Sequence, residues 1–263
     1  MFKLMVAICA VLFIIACPAH ATPSGGTNPV TDGSLVALAF EYDYVFDREI
    51  KSSQVNDGKI KEANTFYLTL TTKPADFLFL YAKAGGTNFQ IKSTLTDGRT
   101  LTEKYKTGFF TGGGAKLVYE VIPNLKFALD NQLNWWTADI EDVSYDQGIT
   151  EKSGHRSAWE YQLSGIFSYK IKWDKVVHPV NGEWPAITPY LGLKYSYLKM
   201  DNSINISTSS GAVVVPDSIR NKNKTGLIFG ADIDLSSLGG FMFNLEARLL
   251  DENAISGSLS YNF

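Results

Sequence analysis

Val36–Phe46 reads VALAFEYDYVF. Successive side chains of an extended strand point to opposite faces. One face here carries Val36, Leu38, Phe40, Tyr42, Tyr44 and Phe46; the other carries Ala37, Ala39, Glu41, Asp43 and Val45. An apolar, aromatic stripe backs onto a small and charged one. A helix would space its apolar residues by three and four, so this stretch is a strand with two chemically different faces.

Nine further segments alternate in the same way, around 66–71, 78–84, 114–121, 125–135, 159–169, 191–197, 226–235, 241–249 and 255–263. A tilted strand needs roughly 9–11 residues to cross a bilayer, and segments of this kind reach that length. Asn131 falls on the apolar face of 125–135 and points to a local bulge or a shifted register. The links alternate too. Short ones lie at 74–76, 122–124 and 236–240; long polar ones lie at 47–62, 88–106, 138–157 and 200–222. Short turns at one end and long loops at the other are the pattern of a barrel that crosses a membrane. Two links depart from it: 172–187 is long on the short side, and 251–253 is short on the long side. Asp97-Gly98 marks a tight hairpin at the tip of the second long link, so the strands there project past the membrane.

A soluble sandwich also alternates, but it turns its apolar face to a core. Here the opposite face mixes small residues with both signs of charge. The candidate lumen charges are Glu41, Asp43, Lys83, Asp130, Glu160, Lys194, Asp232, Glu246 and Arg248. Isolated buried charges are too costly, so these must pair or reach water. Aromatics cluster at both ends of the apolar face. Tyr42, Tyr44, Trp135, Trp159, Tyr195 and Tyr197 lie toward the long links; Tyr169, Phe241, Tyr261 and Phe263 lie toward the short turns. Such girdles belong to membrane barrels. The fold expected is all-β: a transmembrane antiparallel up-and-down β-barrel of about ten strands, with eight as the alternative.

The chain ends ISGSLSYNF, Ile255 to Phe263. This alternating segment with a terminal phenylalanine resembles the C-terminal signature of bacterial outer-membrane barrels. The resemblance implies that Gly257, Leu259, Tyr261 and Phe263 are read by the barrel-assembly machinery. Among named groups, the chain is similar to the small barrels related to opacity proteins and to the barrel domain of outer membrane protein A. The partners this implies are outer-membrane lipid, lipopolysaccharide and the assembly machinery, with a possible extracellular ligand.

Composition fits that class. The chain has 263 residues, of which 45% are hydrophobic and 19% charged, with 24 Lys+Arg against 27 Asp+Glu for a net charge of −3. The apolar share is too high for a disordered chain, and a nucleic-acid binder would show a basic excess. Residues 1–21 combine Lys3, the apolar run Leu4–Ala16 and the small-x-small site Ala19-His20-Ala21, the layout of a secretory signal peptide. Residues 22–34 then form a polar periplasmic leader, and 35–263 the barrel. Both cysteines, Cys9 and Cys17, fall within the signal segment. Ile14-Ile15-Ala16-Cys17 offers a second reading, lipidation at Cys17.

Tools for chemistry are sparse. His155 lies near Asp142, Asp146, Glu151, Ser153 and Ser157, and His178 lies in a separate link. A nucleophile needs a base that a third group orients, and loops are rich in Ser and Asp regardless. Asp139, Glu141, Asp142 and Asp146 lack the oxygen spacing of a dedicated Ca²⁺ loop. Gly112-Gly113-Gly114 lacks the Lys-Ser/Thr of a phosphate loop; such glycines allow close packing. No catalytic, cofactor-binding or metal residue is assigned, and no cofactor is expected. The function expected is a non-enzymatic surface protein whose external loops serve binding or envelope structure. A narrow solute pore is the alternative, and a lipid- or peptide-cleaving enzyme centred on His155 is the second alternative.

Overall fold

The computed structural model describes residues 34–145, 149–171, 186–208, 211–213, 218–235 and 239–263. The expected signal segment 1–21, the leader up to residue 33, His178 and Asp146 lie outside the described residues.

Among the described residues, thirteen strands follow one another: β1 (Val36–Ser52), β2 (Val55–Ala75), β3 (Leu78–Leu95), β4 (Thr100–Tyr105), β5 (Gly108–Ile122), β6 (Leu125–Tyr145), β7 (Ile149–Tyr169), β8 (Ala186–Thr208), β9 (Gly211–Val213), β10 (Ser218–Asn221), β11 (Thr225–Leu235), β12 (Phe241–Leu249) and β13 (Asn253–Asn262). Ten of them close a ring, β1-β2-β3-β5-β6-β7-β8-β11-β12-β13, each antiparallel to both neighbours. The ring shuts where β1 meets β13, with Leu38 opposite Tyr261 and Tyr42 opposite Gly257. Closure leaves no unpaired edge, which a lipid environment demands. The fold is a transmembrane antiparallel up-and-down β-barrel of ten strands.

The wall does not keep ten strands along its whole height. The β12–β13 hairpin stops early, at Leu250-Asp251-Glu252. Above that turn β10 pairs directly with β1, Ile50 opposite Asn221 and Lys51 opposite Arg220. The Lys222 amide donates to the Glu49 carbonyl at 3.0 Å. On the other side β4 continues the line of β5 past a break at Lys106-Thr107 and pairs with β3 and β6. The upper ring is thus β1-β2-β3-β4-β6-β7-β8-β10, eight strands. We call the ten-stranded part the belt and the eight-stranded part the collar.

The chemistry of the two faces inverts between belt and collar. On β3 the outward residues run Leu80, Ala82, Ala84 in the belt and Asn88, Gln90, Lys92 in the collar. The inward residues run Tyr81, Lys83 and then Phe89, Ile91, Leu95, the last three buried. On β8 Leu191, Leu193 and Tyr195 face out in the belt, whereas Leu198, Met200, Ile204 and Ile206 are buried inside the collar. Strand parity holds while the solvent changes: hydrocarbon outside the belt, water outside the collar. An exterior as apolar as Phe40 (55% exposed), Leu193 (62%) and Tyr119 (70%) is tolerable only against lipid.

This inversion corrects the reading of 47–62, 88–106, 138–157 and 200–222 as long loops. Most of their residues are strand, and β1 and β2 are joined at Ser53-Gln54. Their outward polarity looks loop-like, but most of the alternate, inward residues are apolar and build the collar's core. The hairpin expected at Asp97-Gly98 is present between β3 and β4, with Gly98 at φ +86. Asn131 is corrected as well. The β6 register runs unbroken through it, opposite Ala115 and Leu163, so there is neither bulge nor shift. It faces outward, and its amide donates to the Tyr161 hydroxyl at 3.2 Å. Aromatic pairs rim the belt. Trp159 meets Tyr197 and Phe109 meets Trp135 on the collar side; Phe127 meets Phe167 and Phe241 meets Tyr261 on the turn side.

Candidate functional site: a filled barrel interior

The inward face of the belt holds a cross-lumen ion network. Arg48 on β1 grips Glu160 on β7 with both terminal nitrogens, at 2.8 and 2.6 Å. Arg248 on β12 donates to Asp43 on β1 at 2.6 Å and to Glu252 at 2.7 Å. Lys194 on β8 donates to Asp251 at 2.9 Å and to Glu252 at 2.5 Å. Ser196 donates its hydroxyl to Asp251 at 2.9 Å and accepts from Arg48 at 3.1 Å. Each cation therefore meets at least two acceptors, which is what lets charge persist in a dry interior.

Asp251 and Glu252 belong to the early β12–β13 turn, yet they are 1% and 2% exposed. The turn folds inward and seats both carboxylates among Lys194, Arg248 and Arg48. Gly226 makes room for it: a Cβ there would lie 2.0 Å from Asp251 Oδ1. Leu250 adopts φ +80, costly for a residue with a side chain, and stays 62% exposed while its neighbours turn in. The turn is a latch, fastened by opposite charge at the boundary of belt and collar.

A second group fills the other side of the belt. Lys83 donates to Gln132 at 3.0 Å, Gln132 to Asp130 at 2.9 Å and Tyr81 to Asp130 at 2.7 Å. The Lys83 ammonium also sits 5.3 Å from the Tyr67 ring centre and 5.2 Å from that of Tyr81. Tyr67 and Thr69 both donate to Glu41. Nearer the turns, Asn244 donates to Asp232 at 2.7 Å and Tyr190 to Glu246 at 3.1 Å. The glycines at 112 and 114 serve close packing: a Cβ would lie 2.1 Å from Asn134 Oδ1 at the first and 2.5 Å from Tyr81 Oη at the second.

Above the latch the interior is apolar. Ile50, Ile60, Phe89, Ile91, Leu101, Trp136, Ile140, Leu198, Met200 and Ile219 belong to one buried cluster inside the collar. One ion pair is embedded in it, Arg156 with Glu103 at 3.1 Å, and Arg156 Nε donates to Tyr105 at 2.8 Å. Burial works against the Arg156 charge, but the Glu103 carboxylate overcomes it, and the guanidinium holds its proton more tightly than usual. Burial, with help from Glu103, pushes the Tyr105 phenol well above its ordinary value.

Of the nine candidate lumen charges, eight are at most 5% exposed and on inward faces, and Glu41 is half-buried. Sequence reasoning missed Arg48, Lys116, Asp251 and Glu252. Arg48 was hidden by a bulge at Val45/Asp47, which puts an even-numbered residue on the face of Asp43 and Val45. Asp251 and Glu252 look like ordinary turn residues; nothing local marks them as buried. Gly257, Leu259 and Tyr261 line the outward face of β13, between β12 and β1, and Phe263 follows its end, its amide donating to the Val36 carbonyl at 3.0 Å.

His155 is exposed on the outer wall of the collar, opposite Asp139, and its side chain makes no hydrogen bond among the described residues. Asp142 is engaged by Lys152. Among the described residues no group of three or more His, Cys, Asp and Glu could hold a metal ion.

Comparison with protein families and with curated proteins finds no match to this sequence. Solved structures do resemble it. The translocator domain of autotransporter NalP from Neisseria meningitidis is 13% identical, TM-score 0.48, over 88% of this chain and 90% of that one. The transport unit of autotransporter AIDA-I from Escherichia coli is 15% identical, TM-score 0.46, over 90% and 92%. The outer membrane protein OprG from Pseudomonas aeruginosa is 12% identical, TM-score 0.43, over 92% and 99%. Their roles are their own.

Proposed function

We propose that the protein is a non-enzymatic barrel of a bacterial outer membrane, acting as a closed and rigid surface scaffold. The observation that carries this reading is the interior: a latched charge network in the belt is stacked under an apolar core in the collar. Eight strands enclose a lumen just wide enough for side chains, and open aqueous channels appear near sixteen. A pore through the collar would have to pass between Phe89, Trp136 and Met200.

The collar then carries the surface role. Its outer wall is polar, and the two of its ends that lie among the described residues, at Ser53-Gln54 and Asp97-Gly98, are tight turns, so it presents a stiff platform. An external ligand would meet that platform. The ten-stranded belt sets the protein apart from the eight-stranded opacity and outer membrane protein A barrels within the small outer-membrane barrels. Recognition by the assembly machinery through Gly257, Leu259, Tyr261 and Phe263 fits the outward placement of the first three on the last strand, with Phe263 just past its end.

Planar-bilayer recording tests the closed state. Purified protein should give no conductance steps under an applied potential. Regular steps from the wild-type chain would replace this reading with that of a narrow pore.

A further inference from the structure

The outer wall carries a groove of about 390 Å³ where belt gives way to collar. Two rows of outward residues line it and a third lies directly below, ordered by the strand register. The lowest row is Tyr42, Phe66, Gly86 and Phe109. The next pairs Asn64 with Asn88, with Thr107 alongside. The highest aligns Glu62, Gln90 and Lys104. Outward rows are two residues apart, so each lies roughly 6–7 Å above the last.

The rows differ in chemistry as a bilayer does with depth. Phe66 (42% exposed) and Phe109 (52%) lie at hydrocarbon level. Gly86 lets the Phe66 ring lie flat across the wall; a Cβ there would come 2.8 Å from Phe66 Cζ. The amide row is cross-linked: Tyr42 donates to Asn64 at 2.6 Å, Asn64 to Asn88 at 3.1 Å and Asn88 to Thr107 at 3.5 Å. These links hold the amides in one orientation. Lys104 and Lys106 flank the groove beside Glu62 and Glu141, and none of the four forms an ion pair among the described residues. Nearby surface charges are engaged, as in Lys59–Asp47 and Lys152–Asp142. Two ammonium groups beside fixed amides, with bare aromatic rings below, match one molecule read from top to bottom: phosphate, sugar hydroxyls, acyl chains; Glu62, Glu141 and, across the β4–β6 pair, Asp142 share the charged end.

We propose that this groove binds a phosphorylated glycolipid of the surrounding leaflet, with its phosphate on Lys104 and Lys106, its sugar on the Asn64–Asn88 row and its acyl chains over Phe66 and Phe109. The site rests on the reading of the belt as membrane-embedded.

Native mass spectrometry of the whole protein in dodecyl maltoside, titrated with diphosphoryl lipid A, phosphatidylglycerol or inorganic phosphate, tests it. Lipid A should give one retained adduct, at least tenfold tighter than phosphatidylglycerol, with none from inorganic phosphate. K104A/K106A should weaken the adduct at least tenfold, N88L should weaken it without removing a charge, and K92A, outside the groove, should leave it unchanged. Migration of unboiled samples on gels checks that each variant is folded. Equal affinity for phosphatidylglycerol, or lipid A binding unmoved by K104A/K106A, would overturn the proposal. Conductance plays no part in this readout, so its failure is distinguishable from failure of the closed-scaffold reading.

Discussion

Arg48 and Glu160 span the barrel's full width. Their strands, β1 and β7, stand five places apart in the ring of ten in either direction, and a two-pronged ion pair at 2.6 and 2.8 Å joins them across the interior. Both side chains are at most 3% exposed.

Removing one partner of a buried pair strands the other charge, at a cost of about 3–5 kcal/mol. R48A should therefore lower barrel stability by about that much, read as a shift in the urea midpoint of unfolding in lipid vesicles. The double variant R48M/E160M removes both charges and should recover most of the loss. Additive losses in the double variant would show that the pair acts as two separate residues.

The latch and the collar core close the lumen in series. D251A/E252A, which unseats the latch from Lys194 and Arg248, should destabilise the belt but yield no conductance, because the core above still blocks the path. G226A should act in the same direction, through the contact with Asp251. Conductance steps from D251A/E252A alone would mean that the collar is permeable.

Trp136 is fully buried in the collar and touches Phe89 edge-on at 6.5 Å between ring centres. W136A should cost about 3–5 kcal/mol, and the loss should stay local to the collar. Limited proteolysis should then cut above the belt while the belt fragment keeps its heat-modifiable migration. Wholesale unfolding of the barrel would show that the two tiers form one cooperative unit.

At the collar tip, hydrogen bonds from the Arg99 side chain and backbone hold the Asp97 carboxyl below its ordinary value. A depressed folded-state pKa stabilises above the unfolded value, about 3.9, and that contribution fades as pH falls through the folded one. Hydrogen-exchange protection of the 95–100 turn should be flat above about pH 5 and decline in acid, whereas D97N should show no such acid step. The Lys152 hydrogen bond depresses Asp142 in the same sense.

Much of the belt was legible in the sequence because lipid outside and polar side chains inside are both written as period two. Val36–Phe46 alone displays the rule. The collar obeys the same period with its faces exchanged, so a reader looking for outward apolar residues sees only polar loop in 88–106, although Phe89, Ile91, Leu95 and Leu101 keep the beat. Charges within regular strands, such as Asp130 and Lys194, could be placed by parity. Arg48 could not, because a bulge is set by strand pairing and leaves no local mark. Asp251 and Glu252 were equally hidden: their burial depends on Gly226 and Lys194, far away in the chain.

The early end of the β12–β13 hairpin also decides how the cylinder can come apart. The first and last strands of the ring, β1 and β13, meet along a seam that runs no higher than Asp47 opposite Asn253. Beyond it β1 is held by an internal segment, β10. A split that starts along that seam therefore runs into a hoop closed by other strands, as staves do under an iron band.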